Sequence, residues 1–295
     1  MSLRAACSWM FATVFLVCAV SPTPNAAPVI VNPGPQTSPV TDRYGYAEAV
    51  LVANPVGYWR LDDAGTIVSD WAATPHPATA VGGITVAQPG ALADGSTAMA
   101  LDGQAGTDIE IPNTATLDLP TAVTVEAWVK GSLSAPAAIV ERTTAAGLAY
   151  RLVYGGGQWV FRIEGPSMAQ QAAAAIANGD SDTWVHLAGT YDGTTIRLYK
   201  NGVEIGNRAQ TGTMRTGTGG TARIGSPSGA STGHAGLVDE VAIYPRAVSA
   251  AQVASHYALR TATSLVSQIF RMGNKANRAH RRSPYNASAE ELPRG

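Results

Sequence analysis

The chain has 295 residues, a formal net charge of −1, a charged fraction of 14%, 31 glycines and 18 prolines. Near-neutrality excludes an overall electrostatic attraction for nucleic acid, and abundant glycine and proline with few charges favour many short strands over a helical bundle. One β-sandwich can absorb more than about two hundred residues, so the length does not require a second domain.

At the N-terminus, Arg4 precedes a mainly apolar run from Ala5 to Val20, and Ser21-Pro22-Thr23-Pro24-Asn25-Ala26-Ala27 breaks the pattern with small residues. Residues 1–27 are expected to be a secretory signal peptide cleaved near Ala26 or Ala27. The apolar run falls short of the roughly 20 residues that a spanning helix needs, and no later stretch is long and apolar enough, so the mature chain is expected to have no membrane span. Both cysteines, Cys7 and Cys18, lie inside this segment. The mature domain is therefore expected to hold no disulfide and to depend on a sizeable core or a metal. Phe15-Leu16-Val17 lacks the small residue expected ahead of a lipidated Cys18. Residues 28–41, stiffened by Pro33, Pro35 and Pro39, read as a linker.

Residues 42–260 form one patterned block. Val56 to Leu61 reads as a strand, and Ser96 to Leu101 reads as another ending at the turn pair Asp102-Gly103. Val123 to Val129 alternates Val123, Val125, Ala127 and Val129 with Thr124, Glu126 and Trp128, the period of a strand with two distinct faces. Further strands are expected at Ala138 to Arg142, Tyr150 to Tyr154, Gln158 to Ile163, Arg223 to Gly225 and Leu237 to Tyr244, with Gly155-Gly156-Gly157 as a hairpin loop and Gly217 to Gly220 as another loop. The plainest signal lies between Trp184 and Gly202, where Asp192-Gly193 and Asn201-Gly202 punctuate runs rich in β-branched and aromatic residues. This is the pattern of a β-meander.

Near the end, Ser249-Ala250-Ala251-Gln252 has the spacing of a capping box before an alanine-rich helix reaching about Leu259. In residues 261–295 a second short helix is expected from Leu265, Val266, Ile269 and Phe270. A basic tail with Arg271, Lys275, Arg278, Arg281 and Arg282 follows, and it is expected to be disordered and solvated. Asn286-Ala287-Ser288 matches a glycosylation acceptor, a pattern too common to weigh.

Short strands with Gly-rich turns indicate an all-β, two-sheet antiparallel sandwich or jelly roll with a short C-terminal helix. Several segments in order carry a more specific likeness: Tyr58-Trp59-Arg60-Leu61-Asp62-Asp63, Gly90-Ala91-Leu92, Leu101-Asp102-Gly103, Val125-Glu126-Ala127-Trp128-Val129, Trp184-Val185-His186-Leu187-Ala188, Leu198 to Gly202, and Gly236 to Tyr244. With them the chain resembles, from about Tyr46 to Ala258, the laminin G-like jelly-roll domains of the concanavalin A-like lectin/glucanase superfamily, in the form common in secreted bacterial proteins. The resemblance implies two antiparallel sheets packed face to face. It implies function only as a choice among sugar, protein and other ligands.

Glycosidic hydrolysis by the usual route needs two carboxylates flanking a cleft. The superfamily's glucanases supply them in a Glu-x-Asp-x-x-Glu pattern. Here Leu237 and Ala242 stand where the glutamates would be, around Asp239-Glu240. No nucleophile elbow, zinc-spaced His pair or phosphate-binding loop appears, and His76, His186, His234, His256 and His280 are scattered. Calcium, held structurally, is the better-suited ion. Asp62 (with Asp63 beside it), Asp102 and Asp239 lie at strand ends and turns that a jelly roll can bring together, although Asp also caps turns routinely. A sugar site wants an aromatic platform. Trp71 lies in a loop-like stretch, as a platform or as a lid folded over the sandwich edge, and Tyr154 and Trp159 flank the glycine loop, where they reach a rim or pack in the core, whereas Trp59, Trp128 and Trp184 belong to strand motifs expected in the core. The expected function is that of a secreted, non-catalytic module binding carbohydrate or an extracellular protein, lectin-like or adhesive. The alternative is a structural or protein-interaction module at the cell exterior, and a glycoside hydrolase is disfavoured.

Overall fold

The structure, a computed structural model, describes residues 45–227 and 232–262. The expected signal peptide, the linker, the helix around 265–270, the glycosylation pattern and the basic tail lie outside the described residues. A helix α1 (Tyr46–Val52) leads into strands β1 (Gly57–Trp59), β2 (Ile67–Val68), β3 (Ala78–Val81), β4 (Ile84–Pro89), β5 (Thr97–Gln104) and β6 (Asp108–Ile111). There follow β7 (Val123–Gly131), β8 (Ala137–Thr144), β9 (Gly147–Gly155), β10 (Gln158–Gly165) and β11 (Met168–Ala175). The chain continues through β12 (Val185–Tyr191), β13 (Thr195–Lys200), β14 (Val203–Ala209), β15 (Ala222–Ile224) and β16 (Thr232–Tyr244) to helix α2 (Ala250–Ala258).

The strands form two eight-stranded sheets. One runs β14-β13-β12-β7-β16-β5-β4 with β1 also paired to β16, and the other runs β11-β10-β9-β8-β15-β6-β3-β2. Every pairing is antiparallel, as in a jelly-roll sandwich. The turn chemistry explains the meander: Asn201 and Gly202 both adopt positive φ (52° and 81°), the geometry of the tight turn joining β13 to β14. Between β12 and β13, the Asp192 carboxylate accepts from the amides of Thr194 and Thr195 at 2.9 and 2.8 Å. Asp102-Gly103 is not a turn. Strand β5 runs through it, and Gly103 takes φ +77° opposite a register shift between Thr232 and Ala235.

The alternation along β7 sorts its side chains into two cores. Val123, Val125, Ala127 and Val129 point between the sheets and pack with Ile139, Leu152 and Phe161. The opposite face, carrying Thr124, Glu126 and Trp128, is also buried, because both helices lie over it. Tyr46 and Val50 of α1 and Val253 of α2 pack there with Trp128, Ala188, Ala242 and Tyr244. Helix α1 is seven residues with no side-chain cap, too short to persist alone. It is therefore held by packing against its neighbours.

At the centre of this second core Glu126 is fully buried and accepts four side-chain donors. They are Tyr46 Oη at 3.0 Å, His186 Nε2 at 2.7 Å, His256 Nδ1 at 3.0 Å and Tyr244 Oη at 2.9 Å. One carboxylate thus ties α1, β12, β16 and α2 to β7. At the N-terminus of α2, Ser249 Oγ accepts from the Gln252 amide at 3.2 Å while Gln252 Oε1 accepts from the Ser249 amide at 3.1 Å, completing the expected capping box. Ser249→Ala is expected to cost about 1 kcal/mol, read as a lower urea midpoint at unchanged slope.

Candidate functional site

Strand β1 is short because the chain turns away at Arg60 and Leu61, where Leu61 adopts φ +62°. On the partner strand, Glu240 adopts φ +52° beside a register shift between Asp239 and Ala242. Positive φ is costly for residues of this kind and gathers where backbone geometry serves a site. Here it seals both Asp239 and Glu240 from solvent although they are sequence neighbours.

Asp70 organises the loop that follows. Its buried carboxylate accepts from the amides of Tyr58 (2.8 Å), Ala72 (2.9 Å) and His76 (2.7 Å), and the Trp71 amide donates to the Tyr58 carbonyl at 2.8 Å. Asp63 closes the preceding loop by accepting from the Ser69 amide (3.0 Å) and hydroxyl (2.7 Å). Trp71 is thus fixed at both flanks, yet its side chain is 48% exposed. The Arg60 guanidinium lies over its ring at 5.4 Å from the centroid, within the range of a cation–π contact.

Arg60 is the hub. Its Nε donates to Glu240 Oε1 at 3.2 Å, and its terminal nitrogens face Asp62 at 3.4 Å and Asp94 at 3.5 Å. Burial opposes its charge, but Glu240, Tyr58 and Asp62 together hold its pKa above the usual value. Glu240 also accepts from the Tyr58 hydroxyl. Burial pushes Glu240 up to about 7 against the pull of Arg60 and Tyr58. Asp239 is pushed well above the carboxylate range by burial and the neighbouring Glu240, partly offset by the Ala91 amide at 2.8 Å.

The three expected calcium ligands do not fit one ion. Asp62 faces Arg60, Asp239 faces Ala91, and Asp102, exposed near the end of β5, accepts from the Gln104 amide at 2.9 Å. Asp102 pairs with Ala235, four residues along β16 from Asp239, a separation of roughly 13 Å. Among the described residues no three His, Cys, Asp or Glu side chains gather as a metal set. Asp62 is balanced by the Arg60 guanidinium at 3.4 Å.

The expected aromatic candidates divide. Trp71 stands at the surface, whereas Tyr154 and Trp159 are 1% and 0% exposed and belong to the core between the sheets, so neither offers a ring face to a ligand. Alternation explains this, since both lie on the inward register of β9 and β10, paired with each other. Tyr154 Oη instead donates to the Ser132 carbonyl at 3.2 Å, and Trp159 Nε1 donates to Asp180 Oδ2 at 2.9 Å. Trp59 and Trp128 are buried as expected, and Trp184 packs half-buried against the second core. Arg60, Asp70 and Asp94 are the site residues that sequence reasoning missed. The only local signal was the acids ahead of Trp71, at Asp62, Asp63 and Asp70.

Residues 102–254 match the laminin G-like model of the concanavalin A-like lectin/glucanases superfamily. The chain belongs to this superfamily. No curated protein sequence matches it. Among solved structures it is similar to the binding domain of Paraclostridial Mosquitocidal Protein 1, at 15% identity and TM-score 0.54 over 69% of this chain and 52% of that one. It is likewise similar to the botulinum neurotoxin serotype G binding domain, at 12% identity and TM-score 0.55 over 70% of this chain and 51% of that one. The serotype D binding domain aligns at 11% identity and TM-score 0.56, over 71% and 52% respectively. The concanavalin A-like chain thus spans about half the length of these structures, and at such identities the likeness shows the fold alone. Among the described residues no helix is long and apolar enough to cross a membrane.

Proposed function

We propose that this chain is a secreted, non-catalytic binding module that takes carbohydrate on the exposed ring of Trp71. The single observation carrying this reading is the exposure of that ring while Trp59, Trp128 and Trp159 are sealed inside. Leaving a large aromatic side chain half in water forgoes stabilisation that burial would give, and here hydrogen bonds on either side of the residue hold it in place. An apolar ring beside the Arg60 guanidinium and its carboxylate partners Asp62 and Asp94 suits the C–H face and hydroxyls of a sugar. The superfamily and the binding domains among the structural neighbours support a binding role. Asp239 and Glu240 are buried and engaged by Ala91, Tyr58 and Arg60, a poor arrangement for the two-carboxylate chemistry of hydrolysis.

The charge around the ring narrows the ligand. Asp62 and Asp94 outnumber Arg60, with which both already pair. The ligand class is therefore neutral or amino sugars, with uronic-acid polymers disfavoured by like-charge repulsion. In a glycan panel with calcium and with chelator, the chain is expected to bind neutral or amino sugars in both conditions. Trp71→Ala is expected to lose about 30-fold in affinity with stability changed by less than about 0.5 kcal/mol. No binding by the folded chain would overturn the carbohydrate reading in favour of a protein-interaction module.

A further inference from the structure

A second feature, far from Trp71, has the form of a ligand site. At the end of the sandwich where β7 meets β8, the β7–β8, β9–β10 and β11–β12 loops surround an open groove of about 490 Å³, the size of a small-ligand pocket. Gly131, at this end of β7, pairs with Gly236, whereas Tyr58, which holds the Trp71 amide, pairs with Ala242. Six residues along β16 correspond to roughly 20 Å, so the groove and the Trp71 ring are separate places.

Buried groups fix both lips of the groove. On one side the Tyr154 hydroxyl, itself sealed and 3.1 Å from His234 Nδ1, donates to the Ser132 carbonyl, and Ser132 and Ser134 hydroxyls stand 2.9 Å apart. On the other side the buried Asp180 carboxylate accepts from the Ala177 amide (3.0 Å), Trp159 Nε1 (2.9 Å) and Lys200 Nζ (2.9 Å). The lips are joined where the Asp182 amide donates to the Gly131 carbonyl at 3.0 Å, and the floor where the Ile176 amide donates to the Gly157 carbonyl at 2.9 Å. Loops held in this way lose little conformational entropy on binding.

The lining is uncharged and mixes polar with apolar surface. Ser132, Ser134, Ser181 and Asn178 supply hydroxyls and an amide, and half-buried Leu133 and Ile176 supply apolar surface. Among the described residues the Asn178 side chain has no partner within the chain. Its two donors and its acceptor face solvent unpaired. Asp180, Lys200 and Tyr154 support the lips from behind, and none of them lines the groove. Such a lining has nothing to neutralise a charged ligand, yet it can exchange hydrogen bonds with several hydroxyls while Leu133 and Ile176 meet C–H groups.

We infer that this groove is a second carbohydrate subsite, selective for a neutral sugar and independent of the Trp71 ring. The inference rests on the reading of the chain as a carbohydrate-binding module. It adds a consequence: two sites roughly 20 Å apart would let one chain engage a polysaccharide at two points, raising apparent affinity for long glycans over short ones.

The test is amide chemical-shift mapping of the full chain titrated with maltotriose, with cellotriose and with trigalacturonate, in the wild type, Trp71→Ala, Asn178→Ala and the groove-filling Ser134→Trp. Ser134 and Asn178 are exposed, so these variants keep the fold. The expected result is movement of the Leu133, Ile176, Asn178 and Ser181 amides with a neutral trisaccharide, preserved in Trp71→Ala and absent with trigalacturonate. Affinity at these amides should weaken about five-fold in Asn178→Ala and vanish in Ser134→Trp. Shifts confined to the surroundings of Trp71 would overturn the groove and leave the binding reading intact. Shifts confined to the groove would uphold the subsite and overturn Trp71 as the platform. No shifts anywhere would overturn both.

Discussion

Glu126→Ala is expected to lose about 3–5 kcal/mol of folding stability, the largest loss among the substitutions of polar residues considered. The carboxylate is fully buried, and removing one partner of a buried charged network leaves the others without compensation. The Tyr46 and Tyr244 hydroxyls and the two imidazoles would all lose their acceptor. Because those donors come from α1, β16, β12 and α2, the loss should appear as a cooperative fall in the urea midpoint and not as fraying of one helix. Glu126→Gln keeps the volume and one acceptor oxygen, and it should cost less than alanine while still losing the ionic part.

The ionic part carries its own pH signature. Burial alone would raise the Glu126 pKa, but His256 and His186 outweigh burial and hold it well below the usual carboxylate value. A depressed carboxylate contributes stability above its unfolded pKa, and the contribution disappears as pH falls through the folded one. Burial alone would depress His256, but the Glu126 charge outweighs it and raises the imidazole above 6.5, helped by the Ala49 carbonyl. Its contribution is complete below the unfolded value and disappears as pH rises through the folded one. The stability difference between wild type and Glu126→Gln should therefore be greatest in the mildly acidic window and shrink on both sides. Using the difference matters because other groups titrate too. Glu240, raised to about 7, makes the fold less stable as pH rises from about 4.5 to 7, whereas His234, lowered to about 4 chiefly by burial, makes it more stable as pH rises from about 4 to 6.5. A flat difference across pH 3 to 9 would show that Glu126 acts by shape and hydrogen bonding alone.

The sandwich was legible wherever local chemistry and tertiary packing agree. Asn201-Gly202 needs positive φ at two successive residues, and the chain supplies residues that tolerate it. The period of β7 and the capping box of α2 were equally readable, and both stand in the structure. Strand β11 was not legible: Met168–Ala175 is rich in alanine, a residue depleted in strands. It is a strand because each of its residues pairs with β10, from Gly165↔Met168 to Gln158↔Ala175. Helix α1 was missed for the complementary reason. Seven residues without a cap make no local signal, and the apolar face that holds them is contributed by β7, β12 and β16. Among the site residues, the loop-like surroundings of Trp71 left an exposed ring and a lid over the sandwich edge equally open, and its side chain is 48% exposed. Arg60 gave no warning, since its three carboxylate partners lie 2, 34 and 180 positions away in sequence.

Trp159→Ala is the substitution that separates a core tryptophan from a rim platform, and it is expected to cost about 3–5 kcal/mol. The side chain is wholly enclosed, packed edge-on against Tyr154 with ring centroids 5.8 Å apart, within the core shared by both sheets. Truncation opens a cavity that β9 and β10 cannot collapse without breaking their register. It also takes away one of the donors that hold Asp180 below its usual pKa, leaving Lys200 and the Ala177 amide. Trp159→Phe divides the two effects. The ring largely fills the space, so its cost should be nearer 1–2 kcal/mol, on the order of one lost hydrogen bond to a charged group together with imperfect packing. Since Asp180 fixes the loop bearing Asn178, Trp159→Phe should also weaken sugar binding in the groove while leaving the Trp71 ring untouched. A tryptophan serving as a platform would differ in its stability: affinity lost, with the urea midpoint unchanged. Denaturant melts and sugar titrations of the two variants, read beside Trp71→Ala, separate the tryptophan that holds the fold from the one that meets the ligand.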